Sequence, residues 1–400
     1  MNLTASISRK LAAAMAGIAL LAMSSVSQAL PAGLIPSPPK VAAKSYILID
    51  AVSGEVLAES NADQILPPAS LTKMMTAYVV ENELAAGNIK RDDLVTVSEK
   101  AWRMRGSLMF IEVGEKVSVE DLLKGVIIVS GNDASVALSE FVAGSEGAFA
   151  QVMNATAKEL GMNNTHFKNA SGWPMKDHYT TARDLSILSQ HIIYDHPEYY
   201  TVYAEKEFQY GVNKKTGRPL NPQPNRNTLL FTNPSVDGLK TGHTDEAGYC
   251  LAASATNGER RLIAVVMGTS SERARANETQ KLLTYGFRFF ENVDVNRGGV
   301  ALEQVRAWKG TIDNLPVGLA DDLVVTVPRG KGKDVKASMV VDDNLEAPIA
   351  AGQKIGSVIV RVDDEIIAER DLVALETVEE GGFFKSLWDS IVRFFMGLFS

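Results

Sequence analysis

Pro67-Pro68-Ala69-Ser70-Leu71-Thr72-Lys73 runs directly into the apolar stretch Met74-Met75-Thr76-Ala77-Tyr78-Val79-Val80. The two prolines end whatever precedes them, which leaves Ser70 where a helix begins. Leu71, Met74, Met75, Tyr78 and Val79 then recur at helical spacing, so the pattern predicts Ser70 and Lys73 one turn apart on one face. A hydroxyl becomes a nucleophile when a neighbouring base takes its proton, and a lysine is such a base only when its amine is neutral. Burial near other cations makes it so. The bland alternative is a capping serine beside a solvated lysine, and one S-x-x-K pair does not decide between them.

The 400 residues leave room for two domains, and the composition is that of a globular chain. With 48 acidic against 40 basic residues and no basic block, nothing points to nucleic acid. Cys250 is the single cysteine, so no intramolecular disulfide or cysteine-based metal cluster forms, and its apolar surroundings predict a small buried side chain. The histidines lack metal-ligand spacing, His191 and His196 reading as structural, and no metal or cofactor is expected.

Arg9 and Lys10 precede the apolar run Leu11 to Met23, and Ser27-Gln28-Ala29 supplies small residues for cleavage. This predicts a signal peptide over 1–29 and a flexible new N-terminus over the proline-rich 30–40, with an uncleaved anchor as the alternative. Ser45 to Asp50, the Ser53-Gly54 turn and Glu55 to Glu59 read as a hairpin leading into the Ser70 helix. Ser118 caps a helix through Val126 that breaks at Ser130-Gly131-Asn132 before a second one, Ala134 to Val142. A Ser-Gly-Asn turn between two apolar helices aims polar groups into a buried place.

Helices follow at Phe149 to Leu160 and from Thr181, then a polar stretch from Tyr203 to Asn233 reads as a long loop or short ribbon. Val236 to His243, Tyr249 to Thr256 and Arg261 to Met267 read as strands, the last two joined at Asn257-Gly258. Lys240-Thr241-Gly242 therefore lies on or beside a strand of an antiparallel sheet. A helix from Ala276 to Phe290 packs back on it. Beyond Asn292, short alternating apolar runs separated by Pro, Gly and Asp predict a small all-β domain. The expected division is 41–292 for the first domain, 293–379 for the β-rich one and 380–400 for a terminal helix. In that helix Lys385, Asp389 and Arg393 make one polar stripe among Phe, Leu, Trp and Ile, which fits an interfacial amphipathic anchor. The alternative is a helix docked on its own protein or a partner.

Ser70-x-x-Lys73, Ser130-Gly131-Asn132 and Lys240-Thr241-Gly242 are each weak singly. In this order and these contexts they match the signature of penicillin-binding proteins and serine β-lactamases. A second Lys215-Thr216-Gly217 has no strand to carry it and is set aside. With Asn164-Thr165-His166-Phe167, Pro224-Asn225-Arg226-Asn227 and Asp237 to Thr244, the chain resembles the low-molecular-mass penicillin-binding proteins that act as D-alanyl-D-alanine carboxypeptidases. The likeness covers nearly the whole mature chain.

The resemblance implies an α/β (α+β) catalytic domain of the serine β-lactamase/transpeptidase type, with a central antiparallel sheet flanked by helices. It implies that Ser70 attacks the penultimate D-alanine carbonyl with Lys73 as general base, and that Ser130, backed by Asn132, relays a proton to the leaving amine. Lys240 and Thr241 would bind the terminal carboxylate, Lys240 also helping to keep Lys73 neutral. The oxyanion would sit between backbone N–H groups of Ser70 and His243, Gly242 would line the same strand, and Arg226 and Arg275 would lie near the carboxylate. The implied partners are peptidoglycan pentapeptide, β-lactams as inhibitors and a membrane surface, at the periplasmic face of the cytoplasmic membrane. The rivals are a class A-like β-lactamase, for which Glu159 is a poorly placed candidate base, a D-Ala-D-Ala endopeptidase and a non-catalytic wall-binding scaffold. The stretch 213–222 looks like an insertion.

Overall fold

The computed structural model describes residues 35–212, 216–258, 260–342 and 345–396. The expected signal peptide, Lys215 of the second K-T-G and Gly397 to Ser400 lie outside the described residues.

Five antiparallel strands form the first sheet: β1 (Ser45–Asp50), β2 (Val56–Ser60), β3 (Val236–Thr244), β4 (Gly248–Thr256) and β5 (Arg261–Thr269), in the order β2-β1-β5-β4-β3. Strand β5 explains why the sheet is a middle layer. Its Ile263, Val265 and Met267 enter one apolar cluster, while Leu262, Ala264 and Val266 enter another on the opposite face. Alternate residues of a strand point to opposite faces, so an unbroken apolar run demands cover on both. The helices α1 (Thr72–Ala85), α2 (Val119–Ile127), α3 (Asn132–Ala143), α4 (Glu146–Glu159) and α5 (Ala182–Tyr194) supply the first cover. Helix α6 (Glu272–Phe289) supplies the second.

The helix expected after Ser70 is present, beginning two residues later. Ser70 lies inside a 3-10 turn, Ala69–Leu71, and makes no cap; α1 begins at Thr72. Every residue from Thr72 to Glu81 is buried, so α1 is a central helix enclosed all round. The capping role expected of Ser118 holds, because its side chain accepts from Asp121 N at the start of α2. The Tyr203 to Asn233 stretch contains a small ribbon, Glu207–Phe208 paired with Gln223–Pro224. Cys250 is buried, and burial pushes its thiol up to about 11.

The described residues of the second part are all-β apart from one 3-10 turn and the terminal helix. Strand β6 (Phe290–Asn296) pairs with Leu323–Pro328, and a five-stranded sheet carries Ala301–Arg306, Asn314–Gly318, Glu365–Ala374, Lys354–Val362 and Val335–Val341 in that order. It encloses its own core around Leu315, Val317, Ile355, Val360 and Leu372. Asp50 ties the two parts together. Its carboxylate is fully buried, accepts from Val52 N at 3.0 Å and Asn292 Nδ2 at 3.1 Å, and pairs with Arg260 Nη2 at 3.2 Å. Arg260 in turn donates to Phe290 O at 2.5 Å, and Ser53 Oγ meets Thr326 Oγ1 at 2.7 Å.

The terminal helix α7 (Phe383–Met396) packs in an unusual sense. Its polar stripe faces its own protein: Asp389 is fully buried, accepting from Lys309 N at 2.7 Å and from Arg306 Nη2 and Lys385 Nζ at 3.2 Å. Lys385 also reaches Asp313 at 2.5 Å, and Arg393 pairs with Glu346. The apolar face is the one left out, with Phe383 75% exposed, Phe384 85%, Trp388 64% and Phe394 67%.

Removing one member of a buried ion pair leaves the other charge uncompensated, at a cost of about 3–5 kcal/mol. Asp50→Ala is therefore expected to lose about that much stability in urea unfolding, and Asp50→Ala/Arg260→Met to recover part of it. Equal stability of Asp50→Ala and wild type rules out this pair as the fastening.

Candidate active site

Two tight turns carry the chemistry, and both hold backbone in the left-handed region. Ala69 has φ 49° and Ser130 φ 62°. For non-glycine residues such conformations cost about 1–3 kcal/mol and persist only where the surroundings enforce them. At Ala69 the enforcing neighbour is Gly172, itself at φ 81°, where a Cβ would fall 1.8 Å from Ala69 O. Only a glycine lets the two backbones approach so closely. Gly242 of β3 closes the other side, its Cβ position 3.1 Å from Pro68 O and 3.3 Å from Leu71 N. The serine turn is thus held between the edge strand and the 169–173 loop.

Lys73 is 1% exposed, and its amine donates to Ser70 Oγ at 3.1 Å, Asn132 Oδ1 at 2.7 Å and Ser171 O at 2.5 Å. The expected facing of Ser70 and Lys73 is therefore what the fold produces. Burial lowers the Lys73 pKa to about 7, opposed by the charge of Asp133 and aided by that of Arg226. Lys240 is 3% exposed and held well below the ordinary lysine range by burial, then by Lys73, Arg226 and Arg275. The repulsion between the two buried amines is mutual, and each disfavours the other's charged form.

Ser130 is 2% exposed, lines the cleft and has no hydrogen-bond partner for its hydroxyl among the described residues. A buried hydroxyl without a partner costs free energy and calls for an explanation, which a bound ligand supplies. Asn132, the first residue of α3, bonds Lys73 through Oδ1 and Arg105 O through Nδ2 at 2.6 Å. The cleft, about 660 Å³, also brings in Arg226, Thr241, Gly242, His243 and Arg275. Arg226 is exposed there, while Arg275 is 4% exposed and donates to Gly242 O at 3.4 Å and Arg226 O at 3.2 Å. His243 stacks on Tyr249 at a centroid distance of 3.9 Å. All ten residues singled out in the sequence thus converge on one place, Lys240 immediately beside the Thr241 that lines it. Glu159 does not: it is exposed at the end of α4.

The groups that sequence reasoning passed over are those that position the others. Asp133 is 1% exposed and accepts from the backbone N–H groups of Met109, Phe110, Ile111 and Ala134 at 2.8–3.3 Å, strapping the 105–111 loop to the start of α3. Asn169 Oδ1 accepts from Gly172 N at 2.8 Å and Trp173 N at 3.1 Å, and its Nδ2 donates to Trp173 O at 2.9 Å. That fixes the loop whose Ser171 carbonyl holds Lys73. Thr76 Oγ1 donates to Ala170 O at 2.7 Å and Thr72 Oγ1 meets His178 Nε2 at 2.8 Å, so α1 itself carries the anchors. Burial lowers the His178 pKa to about 4, which keeps the ring neutral. The signal that could have found this loop is Asn169-Ala170-Ser171-Gly172, a run of turn-forming residues soon after the Asn164–Phe167 stretch singled out in the sequence, which does not line the cleft.

A family model described as D-alanyl-D-alanine carboxypeptidase matches residues 33–271, and one described as the C-terminal domain of penicillin-binding protein 5 matches residues 290–380. The D-alanyl-D-alanine carboxypeptidase DacC of Escherichia coli K12 is 46% identical over 365 residues, covering 89% of each chain. The crystal structure of penicillin-binding protein 5 from Haemophilus influenzae superposes with a TM-score of 0.81 at 42% identity, covering 86% of this chain and all of that one. Penicillin-binding protein D2 of Listeria monocytogenes, in its ampicillin-bound form, matches at 32% identity and a TM-score of 0.56, covering 62% of this chain and all of that one. A strained serine turn against a buried lysine, on a chain that DacC matches over 89% of its length, places the protein in the D-alanyl-D-alanine carboxypeptidase family of serine peptidases.

Proposed function

We propose that the protein removes the terminal D-alanine from peptidoglycan pentapeptides through an acyl-enzyme on Ser70, and that β-lactams acylate the same hydroxyl. The observation that carries this is the buried Lys73 amine, lowered to about 7 and bonded to Ser70 Oγ at 3.1 Å. A lysine so placed is a general base at neutral pH.

Ser70 Oγ attacks the carbonyl of the penultimate D-alanine while its proton passes to Lys73 Nζ. The developing oxyanion is met by backbone N–H groups of Ser70 and His243. Ser130 Oγ donates to the departing amine as the C–N bond breaks and is replenished from Lys73, which explains an unpartnered hydroxyl in the free site. Water then cleaves the ester, with Lys73, neutral again, taking its proton. The substrate carboxylate binds at Thr241 and Lys240, beside Arg226 and Arg275, and its charge favours the Lys240 ammonium. Asn132 positions Lys73. Against a class A-like lactamase stands Glu159, exposed and away from the cleft, while the Lys73 amine takes its acceptors from Ser70, Asn132 and the Ser171 carbonyl.

We further propose that the chain works outside the cytoplasm, on the outer face of the membrane, with the apolar face of α7 in the lipid interface. No helix among the described residues is long and apolar enough to cross a bilayer. Lys385 and Arg393 are paired with Asp313, Asp389 and Glu346 of the protein itself. Aromatic insertion is left as the driving force.

Wild type is expected to release D-alanine from a pentapeptide and Ser70→Ala to release none, with a cross-linked dimer as second substrate to score endopeptidase action. Rapid penicillin turnover in place of a long-lived adduct transfers the chain to the lactamases. The acylation rate should rise with pH through about 7 as Lys73 loses its proton, then level off. Lys73→Arg, which cannot deprotonate, should lose about 10²–10⁴-fold; a flat pH profile removes Lys73 as the base. Deleting 382–400 should free the protein from lipid vesicles without loss of activity on soluble peptide. Binding of the intact chain should be nearly the same for neutral and anionic vesicles and at low and high salt, and a steep salt dependence refutes the insertion mechanism.

A further inference from the structure

The turn Asn225-Arg226-Asn227 carries an arginine into the cleft between two asparagines that the reaction does not use. Arg226 is exposed there, while both asparagines are buried. A buried amide is kept where its hydrogen bonds are met, and here they fasten the turn on both sides of the arginine. Asn225 Nδ2 donates to Glu205 O at 3.0 Å and Asn225 N to Lys206 O at 2.7 Å, which ties the turn to the chain entering the small ribbon. Asn225 Oδ1 accepts from Asn227 N at 2.9 Å and closes the turn across Arg226. Asn227 Nδ2 then donates to Gly238 O of β3 at 3.0 Å, and Asn227 Oδ1 accepts from Leu229 N at 3.2 Å. The turn meets β3 a second time through Arg275, which donates to Arg226 O at 3.2 Å and to Gly242 O at 3.4 Å. Gly238 and Gly242 lie either side of Lys240-Thr241, about 13 Å apart along the strand. The Arg226 backbone is thus splinted to β3 at both ends of the pair that would hold the substrate carboxylate.

We propose that Asn227 is a positioning residue for carboxylate recognition: by fastening the turn to Gly238 it holds the Arg226 guanidinium where the terminal carboxylate of the substrate binds. Asn225 steadies the same turn from the ribbon side. The proposal rests on the carboxypeptidase reading. Glu272 offers Arg275 a counter-charge at 3.7 Å, but no carboxylate pairs with Arg226 among the described residues. The Arg226 charge bears on Lys73, Lys240 and Arg275, so cations gather at this end of the cleft and an anion is what completes it. An arginine side chain has many rotamers, and a forked contact with a carboxylate uses few of them. A backbone fixed beforehand lowers that ordering cost. Losing the clamp should therefore weaken the distinction between substrates with and without a carboxylate and leave the chemistry at Ser70 and Lys73 in place. A second fastening at the same end of β3 gives the control. Tyr200 Oη donates to Asp237 Oδ1 at 2.8 Å, and a Cβ on Gly238 would fall 2.7 Å from that hydroxyl, yet Tyr200 makes no bond to the Arg226 turn.

The test compares kcat/KM for two acyl-D-alanine esters of equal size, a glycolate ester that ends in a carboxylate and its neutral glycolamide. The ester bond is reactive enough to keep the neutral member measurable. Wild type should favour the glycolate by more than tenfold, the size of a hydrogen bond to a charged group. Asn227→Ser keeps an acceptor for Leu229 N but is too short to reach Gly238 O, and it should lower that ratio about tenfold while glycolamide turnover stays near wild type. Arg226→Gln should lower the ratio at least as far, and the double variant no further than Arg226→Gln alone, because one residue acts through the other. Tyr200→Phe should leave the ratio unchanged. Turnover of the glycolamide shows that each variant is folded; if Asn227→Ser is not, Asn225→Ser, which cuts the bond to Glu205 O, is read in the same way. An unchanged ratio in the asparagine variant, additive losses in the double variant, or an equal fall in Tyr200→Phe overturns the positioning role. Equal use of both esters by wild type overturns the carboxylate site and the proposal with it. Hydrolysis of neither ester overturns the carboxypeptidase reading instead, and calorimetric binding of the two esters to Ser70→Ala and to its Asn227→Ser and Arg226→Gln derivatives then decides the positioning role by the same ratios.

Discussion

The burial of one amine sets the terms for the rest of the catalytic part. Lys73 lies in the middle of the protein, bonded to Ser70, Asn132 and the Ser171 carbonyl, and burial holds its pKa near 7. A lysine that desolvated is kept only where its protons find acceptors and where packed elements hold those acceptors in place. Each surrounding element answers one of those needs. Helix α1 is enclosed on all sides, the Asn132 amide reaches across from α3, and the 169–173 loop turns a carbonyl inward.

Those acceptors have supports of their own. Asp133 gathers four backbone N–H groups and so fixes both the 105–111 loop and the first turn of α3, which carries Asn132. Asn169 does the same for the loop opposite. The two polar side chains act as local cross-braces, each replacing several backbone bonds that irregular loops cannot make among themselves. The strained φ of Ala69 and Ser130 is then held by packing on both sides, with Gly172 and Gly242 leaving the space.

The terminal helix follows the opposite logic to a core helix. Its charges are consumed by Arg306, Lys309, Asp313 and Glu346, so it is fastened to the β-rich part by its polar side and offers its aromatics outward. A helix held in this way moves with the sheet beneath it. Under the proposed lipid contact, α7 would carry an orientation as well as an attachment, and the Asp50–Arg260 fastening joins the β-rich part to the first sheet.

The sequence by itself determined the order of parts: a hairpin, a serine-bearing helix, a Ser-Gly-Asn break, a K-T-G strand, a final helix and an all-β end. Those are local patterns, set by hydrophobic period, caps and turns, and they place Ser70, Lys73, Ser130 and Lys240 on recognisable elements. Tertiary structure alone decided the rest. The direction of the α7 polar stripe was illegible because Lys385, Asp389 and Arg393 read the same whether water or protein receives them. The depression of Lys73 by burial more than by Lys240 depends on how completely three elements close over one amine, and Asp133 and Asn169 became visible only once the loops they brace were in place. Spacing along a chain fixes which face a side chain takes, whereas desolvation and partnership arise from segments about a hundred residues apart meeting in space.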